Sequence, residues 1–400
     1  LRRHPDPAKR KEALRAMREV FSDKEHLITF SSAYLSIVKD WTTDVEVRGF
    51  QSVMSPRNVS EDLDDDVVNR LIEEVTASYP LYQRYLQSKA TMLGKTTLDH
   101  WDLHATLAKE ERDVPFQEAT DMILNTYQAF DETFHQYAKD MLTNGQVDVY
   151  PQKGKRGGAF AVFEQGFNSY VMLNHTNRLD DVNTLIHEFG HAIHGYLLQD
   201  LPGAVYTPPL CLAETASIFS ELLLGAQLQE KLSTEEQLTY LSSMIEEAFG
   251  AIHRQTQYIC FERRVHELVH QGETLSHEDL CRLWREEQVK MTGSMVTYDC
   301  PPEQESSWAS IPHIFHTPFY CYTYAFGNLL SFSLYRHYQQ EGDAFKEKYL
   351  DILKAGGSVS PRALLERNGI DITQSAFFRE GLKVLEDMVE QFERLVQQHQ

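Results

Sequence analysis

The 400-residue chain is predicted to be mainly α-helical, and three observations carry that prediction. Apolar residues recur with the helical period in ten stretches, only the region from about 146 to 175 alternates as strands do, and no repeat or low-complexity tract interrupts the pattern. In chain order the helices are expected at 7–22, 24–50, 60–93, 115–143, 181–198, 211–230, 233–271, 276–291, 318–339 and 373–398. In the first of these, Lys9-Arg10-Lys11 alternates with Glu12 and Arg15 and reads as a solvent face. Thr292 to Pro312, with Cys300-Pro301-Pro302 and Glu303-Gln304-Glu305, reads as a loop bordering the site. With 42% hydrophobic residues the chain can bury a large core as one domain. Two lobes are expected within it, about 1–145 and 146–400, the second holding the motif described next.

His187-Glu188-Phe189-Gly190-His191 fits the H-E-x-x-H pattern. On a helix His187 and His191 are one turn apart on one face, so both imidazoles can reach a single ion. Glu188 then stands where its carboxylate can take a proton from a water activated by that ion. The context is helical: Tyr170 to Asn174 reads as a strand, and Asp180-Asp181 supply an N-cap and a first-turn acid. Leu185, Ile186, Phe189, Ile193 and Leu197 make the core-facing side.

A catalytic zinc needs a third protein ligand and keeps a fourth position open. His194 shares the face but lies roughly 10 Å along the axis from His187, too far for a common ion, and is read as packed beside the site or in its outer shell. Position 197 is Leu, which excludes the three-histidine helix pattern. Glu214 is the better donor: breakers at Leu201-Pro202-Gly203 and Thr207-Pro208-Pro209 allow the 211–230 helix to fold back. Its neighbours Leu212, Ala213, Ala216, Ile218 and Phe219 bury it, and a buried carboxylate needs a partner. Glu221, two turns on, can accept a hydrogen bond from a ligating imidazole.

The stretch Leu185 to Gly195 with Ala213-Glu214-Thr215-Ala216 resembles the oligoendopeptidase F group of the thimet-oligopeptidase-like zinc peptidases. Gly154 to Phe160, Leu173-Asn174-His175, Leu179 to Val182 and His313 to Tyr324 extend the resemblance over essentially the whole chain. It implies a large helical zincin-like (gluzincin) body with a deep channel, one Zn2+ per chain, and cleavage of short peptides. It further implies that His313 and Tyr324 face the oxyanion, while Tyr320 and Tyr322 help to bind substrate. Members of the group usually carry a further N-terminal region, which this chain is expected to lack.

The chemistry of the tyrosine segment agrees with such a role, since neutral or cationic donors stabilise the charge of a tetrahedral intermediate. An aromatic core helix is the competing reading for the same stripe. Residues 168–174, with Leu173, are the candidates for an edge strand that binds extended peptide through its backbone. Gly157-Gly158 either lets a loop approach substrate or forms a hairpin turn. A peptide-binding protein that has lost catalysis and a zinc hydrolase of other acyl substrates are the alternatives, and the presence of Glu188 counts against the first.

A formal net charge of −21 disfavours nucleic acid, whose phosphates would be repelled. The five scattered cysteines, Cys211, Cys260, Cys281, Cys300 and Cys321, form no C-x-x-C pair and point to a reducing compartment, the cytoplasm. No stretch reaches the length of a membrane span.

Overall fold

The computed structural model describes residues 1–107, 112–229, 231–298 and 305–399, and helices dominate throughout. Capping explains the first boundaries. The Asp6 side chain accepts from Ala8 N and Pro7 opens Pro7–Ser22, while Asp23 accepts from Glu25 N and His26 N and starts Lys24–Arg48.

Several expected helices are divided, each for a local reason. The 60–93 stretch becomes Asp65–Ala77 and Tyr79–Met92, because Pro80 lacks an N–H and is tolerated only in a first turn. The 115–143 stretch breaks at Asp131, whose extended backbone and bond from Thr133 N make it the N-cap of Glu132–Thr143. The 233–271 stretch is interrupted by a five-residue π-helix, Gly250–Arg254. Helices Asp343–Lys354 and Pro361–Arg367 were not expected, and Pro312–His316 lies in the end of the expected loop. The middle of that loop, with Cys300-Pro301-Pro302 and Glu303-Gln304, is outside the described residues.

The charged face expected at Lys9-Arg10-Lys11 needs correction. Arg10 is buried, with Nη2 on Asp102 Oδ1 at 2.5 Å and Nη1 donating to the carbonyls of His4 and Pro5. One carboxylate and two carbonyl partners on its terminal nitrogens offset that burial, while Nε has no partner among the described residues.

The chain divides into two compact units at positions other than the expected one near 145. One comprises 1–107, 245–325 and 386–400, the other 108–244 and 326–385. In the first, Lys24–Arg48 and Tyr79–Met92 pack on Gln255–His270 and His277–Thr292, so distant segments share one core. Tyr34, Val38, Phe261, Val265, Trp284 and Trp308 are its centre. A short parallel pair, Leu98–Asp99 with Val296–Thr297, joins the same two regions.

The second unit is built round Leu179–Leu197, whose Val182, Leu185, Ile186, Phe189, Ala192 and Ile193 are all buried. This helix packs most extensively on Thr215–Gln229. Tyr127 Oη donates to Ile186 O at 3.2 Å, and Ser169 Oγ to Ala192 O at 2.8 Å, fixing its position from two further elements. Beside it lies a three-stranded sheet with Tyr170–Met172 in the middle, parallel to Val147–Asp148 and antiparallel to Phe160–Val162.

Candidate metal centre

The motif helix starts two residues earlier than its acids suggested, with Arg178 as its N-cap and both Asp180 and Asp181 in the first turn. Asp181 is not the cap; its Oδ2 accepts from Thr176 N at 2.7 Å and Arg178 N at 3.0 Å, tying the preceding turn to the first helical turn. The helix then carries His187, Glu188 and His191 to the level of Glu214. Glu214 sits at the joint between Leu210–Ala213 and Thr215–Gln229, where its backbone leaves helical geometry.

Gly190 explains how the two helices approach so closely. A Cβ there would stand 2.6 Å from Ala216 O and from Ser217 Cα, so only glycine permits this crossing. Across the gap, His187 Nε2 and His191 Nε2 are 3.1 Å apart, His191 Nε2 and Glu214 Oε2 3.2 Å, and His187 Nε2 and Glu214 Oε2 3.5 Å. Tetrahedral zinc with bonds of about 2.0–2.1 Å holds its ligand atoms about 3.3–3.4 Å apart. The three donor atoms therefore fit one such ion, and they are the group among the described residues that could hold a metal.

The surrounding bonds orient these donors. Glu221 Oε1 accepts from His187 Nδ1, which leaves Nε2 with the lone pair turned to its neighbours. Asn183 Nδ2 donates to Glu221 Oε2 at 3.0 Å, and Tyr240 Oη donates to Asn183 Oδ1 at 3.2 Å. Ser217 Oγ donates to Glu214 Oε2 at 2.8 Å. Sequence reasoning missed Asn183, Tyr240 and Ser217. Asn183 lies four residues before His187, the one spacing that could have drawn attention to it.

Charge in the centre suits a dication. Burial alone would lower the His187 imidazole, but Glu221, then Glu214 and Glu188, raise it to about 9. Burial would raise Glu214, yet His191, His187 and Ser217 bring it down to about 2. Glu188 is lifted by burial, opposed by His187, His191 and a backbone hydrogen bond from Ala161. Three carboxylates against two imidazoles leave excess negative charge that a metal ion would balance.

The Ala161 bond identifies a residue that sequence reasoning did not single out. Val171 N is bonded to Gln146 O, so Val171 faces the other neighbour and Ala161, opposite it, turns its backbone outward. Phe160–Val162 is thus an edge strand whose amide reaches Glu188. The edge expected at 168–174 is corrected accordingly: Tyr170–Met172 is central, and Leu173 is 2% exposed with its N–H bonded to Asp148 O. The Leu173 N–H is therefore not free to meet a peptide. Gly157 and Gly158 are exposed, and Gly158, at φ +81°, makes the turn into the edge strand, with Asn174 Nδ2 donating to Gly158 O at 2.8 Å.

His194 has two readings, of which packing fits the structure and a place in the outer shell does not. It is buried with Nε2 against Leu353 O at 3.1 Å, and burial lowers its imidazole to about 4, so it packs the helix rather than supporting the ligands.

In the first unit, His313, Tyr320 and Tyr324 form a cluster of their own. His313 stacks on Tyr320 with ring centroids 5.5 Å apart and 14° between planes, and its Nε2 lies 3.3 Å from Tyr324 Oη. All three are half-buried, and burial lowers the His313 imidazole, favouring its neutral form. Tyr322, by contrast, is wholly buried, which removes it as a substrate contact. It points into the core because successive helical residues turn by about 100°. The cavity of about 400 Å³ in this unit, lined by Arg18, His104, Arg254 and Tyr258 among others, contains none of the expected site residues.

The chain is similar to several known proteins. Oligopeptidase PepF of Bacillus subtilis is 30% identical over 392 residues, covering 97% of this chain and 58% of that protein. Group B oligopeptidase PepB of Streptococcus agalactiae is 28% identical, covering 98% and 65%. The chain thus spans about three fifths of the length of these curated relatives. Among solved structures, one from Chlamydophila abortus superposes with a TM-score of 0.89 at 26% identity, covering 98% of this chain and 66% of that one. Oligoendopeptidase-F of Enterococcus faecium gives 0.79 at 22% identity, covering 100% and 65%. The peptidase family M3 model matches residues 1–384, and the chain belongs to that family.

Proposed function

We propose that the chain is the catalytic part of a zinc-dependent oligoendopeptidase that hydrolyses internal bonds of short peptides. The carrying observation is the three-donor centre of His187, His191 and Glu214, with Glu188 beside it on the same helix. When bound, zinc would supply Lewis acidity, polarising the scissile carbonyl and making a water acidic enough to lose a proton near neutral pH.

The chain's own groups supply the rest. Glu188 accepts the proton of the attacking water and returns it to the leaving amine, a task suited to a carboxyl whose affinity for protons is raised. Glu221 fixes His187 in one tautomer and orientation. Phe160–Val162 binds the extended peptide by its backbone, which gives affinity without strong sequence choice. His313 and Tyr324 donate to the oxyanion, and Tyr320, stacked on His313, contacts the substrate. The four free, buried cysteines among the described residues suit a reducing compartment, and the cytoplasm is the proposed setting. No described helix is long and apolar enough to cross a membrane.

The test is hydrolysis of a fluorescence-quenched peptide of about ten residues, with chelation and zinc readdition. Cleavage that stops with chelator and returns with zinc is expected. One bound zinc per chain without cleavage would favour a peptide-binding homologue.

A further inference from the structure

A wholly buried glutamate outside the metal centre has an unusual partner. Glu262, on Gln255–His270, is 1% exposed, and its Oε1 accepts the backbone N–H of Phe319 at 3.1 Å. Its Oε2 has no partner among the described residues. Burying a carboxyl is costly, so a fold retains one where an apolar residue could not replace its bond.

Phe319 is where such a bond is needed. It has φ +59°, a region that residues other than Gly, Asn and Asp seldom occupy, and a buried side chain 4.6 Å from the His266 ring and 5.9 Å from Trp41. It lies in the turn between Pro312–His316 and Tyr322–Glu341. There its N–H belongs to no helix or strand ladder and must find an acceptor elsewhere. The carbonyl of the preceding Pro318 is met in the same way, accepting from Arg57 Nε at 3.1 Å. Two side chains from two other helices thus hold the two backbone groups of one strained dipeptide. His313 lies on one side of that turn and Tyr320 and Tyr324 on the other.

From this geometry we infer that Glu262 and Arg57 are positioning residues, clamping the Pro318–Phe319 turn so that His313, Tyr320 and Tyr324 keep a reactive arrangement. The inference rests on the proposed role of His313 and Tyr324. Neither clamp residue touches substrate. Glu262 acts through Phe319 N and Arg57 through Pro318 O. Releasing the turn would loosen the ring stack of Tyr320 on His313 and the approach of Tyr324 Oη to His313 Nε2, while leaving the metal donors as they are.

The experiment compares Glu262→Met, Glu262→Gln, Arg57→Met and Tyr324→Phe in the zinc-loaded chain, reading kcat, KM, zinc content and hydrogen exchange of the 317–324 amides. Glu262→Met is expected to lose about tenfold or more in kcat with KM and zinc unchanged, the pattern of an interaction felt in the transition state. Those amides should lose protection. Glu262→Gln keeps an acceptor oxygen for Phe319 N and should restore both. Combining Glu262→Met with Tyr324→Phe should cost little more than the larger single effect, since both act on one group.

Unchanged kcat in Tyr324→Phe would remove the reading on which the inference rests. Unchanged kcat and amide protection in Glu262→Met, beside an impaired Tyr324→Phe, would overturn the inference alone. Should Glu262→Met not fold, Arg57→Met takes its place with the same readouts: reduced kcat and lost protection support the clamp, and wild-type values refute it.

Discussion

At the scale of single residues, the candidate metal donors are held by groups outside the donor set. Glu221 is the nearest, bonded to His187 Nδ1 and held in turn by Asn183, itself bonded to Tyr240. Loss of such an orienting carboxylate typically weakens metal binding about ten- to hundredfold, so Glu221→Ala should show that drop in a competitive zinc titration while the fold persists. Glu262 makes a separate prediction about pH. An ordinary glutamate carboxyl titrates near 4.5, whereas burial first of all raises Glu262 to about 8. Between those values the folded chain holds a proton that the unfolded chain has lost. The contribution of Glu262 to stability therefore falls as pH rises from 4.5 to about 8 and levels off above. Other groups titrate in the same range, among them His253 and His266, which burial lowers to about 3. The difference between wild type and Glu262→Gln isolates the glutamate. Denaturant melts at several pH values should give a less steep fall for Glu262→Gln, and identical pH dependence in the two proteins would contradict the assignment.

Among elements, the decisive one is the crossing of Leu179–Leu197 with Thr215–Gln229. Gly190→Ala would place a methyl against backbone atoms at 2.6 Å, and backbone cannot swing aside as a side chain can. We expect a loss of about 1–3 kcal/mol together with weaker zinc binding, because Ala216 lies two residues beyond the proposed ligand Glu214. Gly157→Ala, which meets nothing within 4 Å, is the control and should stay within about 0.5 kcal/mol. Thermal melting and zinc titration of the two variants check both statements. This element was also the most legible in the sequence. The H-E-x-x-H spacing, the apolar face through Leu185, Ile186, Phe189 and Ile193, and the breakers before Glu214 all follow from local rules of helix geometry. What escaped the reading depends on partners remote in sequence. Periodicity continues through Ser78 and Asp131, where the helices break, and strand order cannot be inferred from a run such as Tyr170–Met172. Its neighbours on both sides, Val147–Asp148 and Phe160–Val162, make it central and move the proposed peptide-binding edge to Phe160–Val162. Helical spacing sets Tyr322 on a different face from Tyr324, but which of those faces is the core is decided by packing, which buries Tyr322 and leaves Tyr324 half-buried.

For the whole molecule, the two units are each discontinuous in sequence, and this decides what can fold alone. Phe261, Trp284 and Trp308 share a core with Tyr34 and Val38, so residues 146–400 by themselves would lose the apolar partners supplied by the first 107 residues. That fragment should show no cooperative thermal transition by circular dichroism, and a sharp one would argue for the simpler division near residue 145. The same discontinuity explains why a lobe boundary was placed wrongly: strands appearing after 145 mark a change of element, whereas contacts that close a unit come from helices over a hundred residues away. The proposal that Glu188 is the base of a zinc peptidase built on His187, His191 and Glu214 stands or falls with Glu188→Gln. Metal content and cleavage of a quenched decapeptide should be measured on the same preparation. The account predicts one zinc per chain with turnover reduced at least about a thousandfold, as expected when a proton-transfer group and its charge are both lost. Full turnover with zinc bound would contradict it.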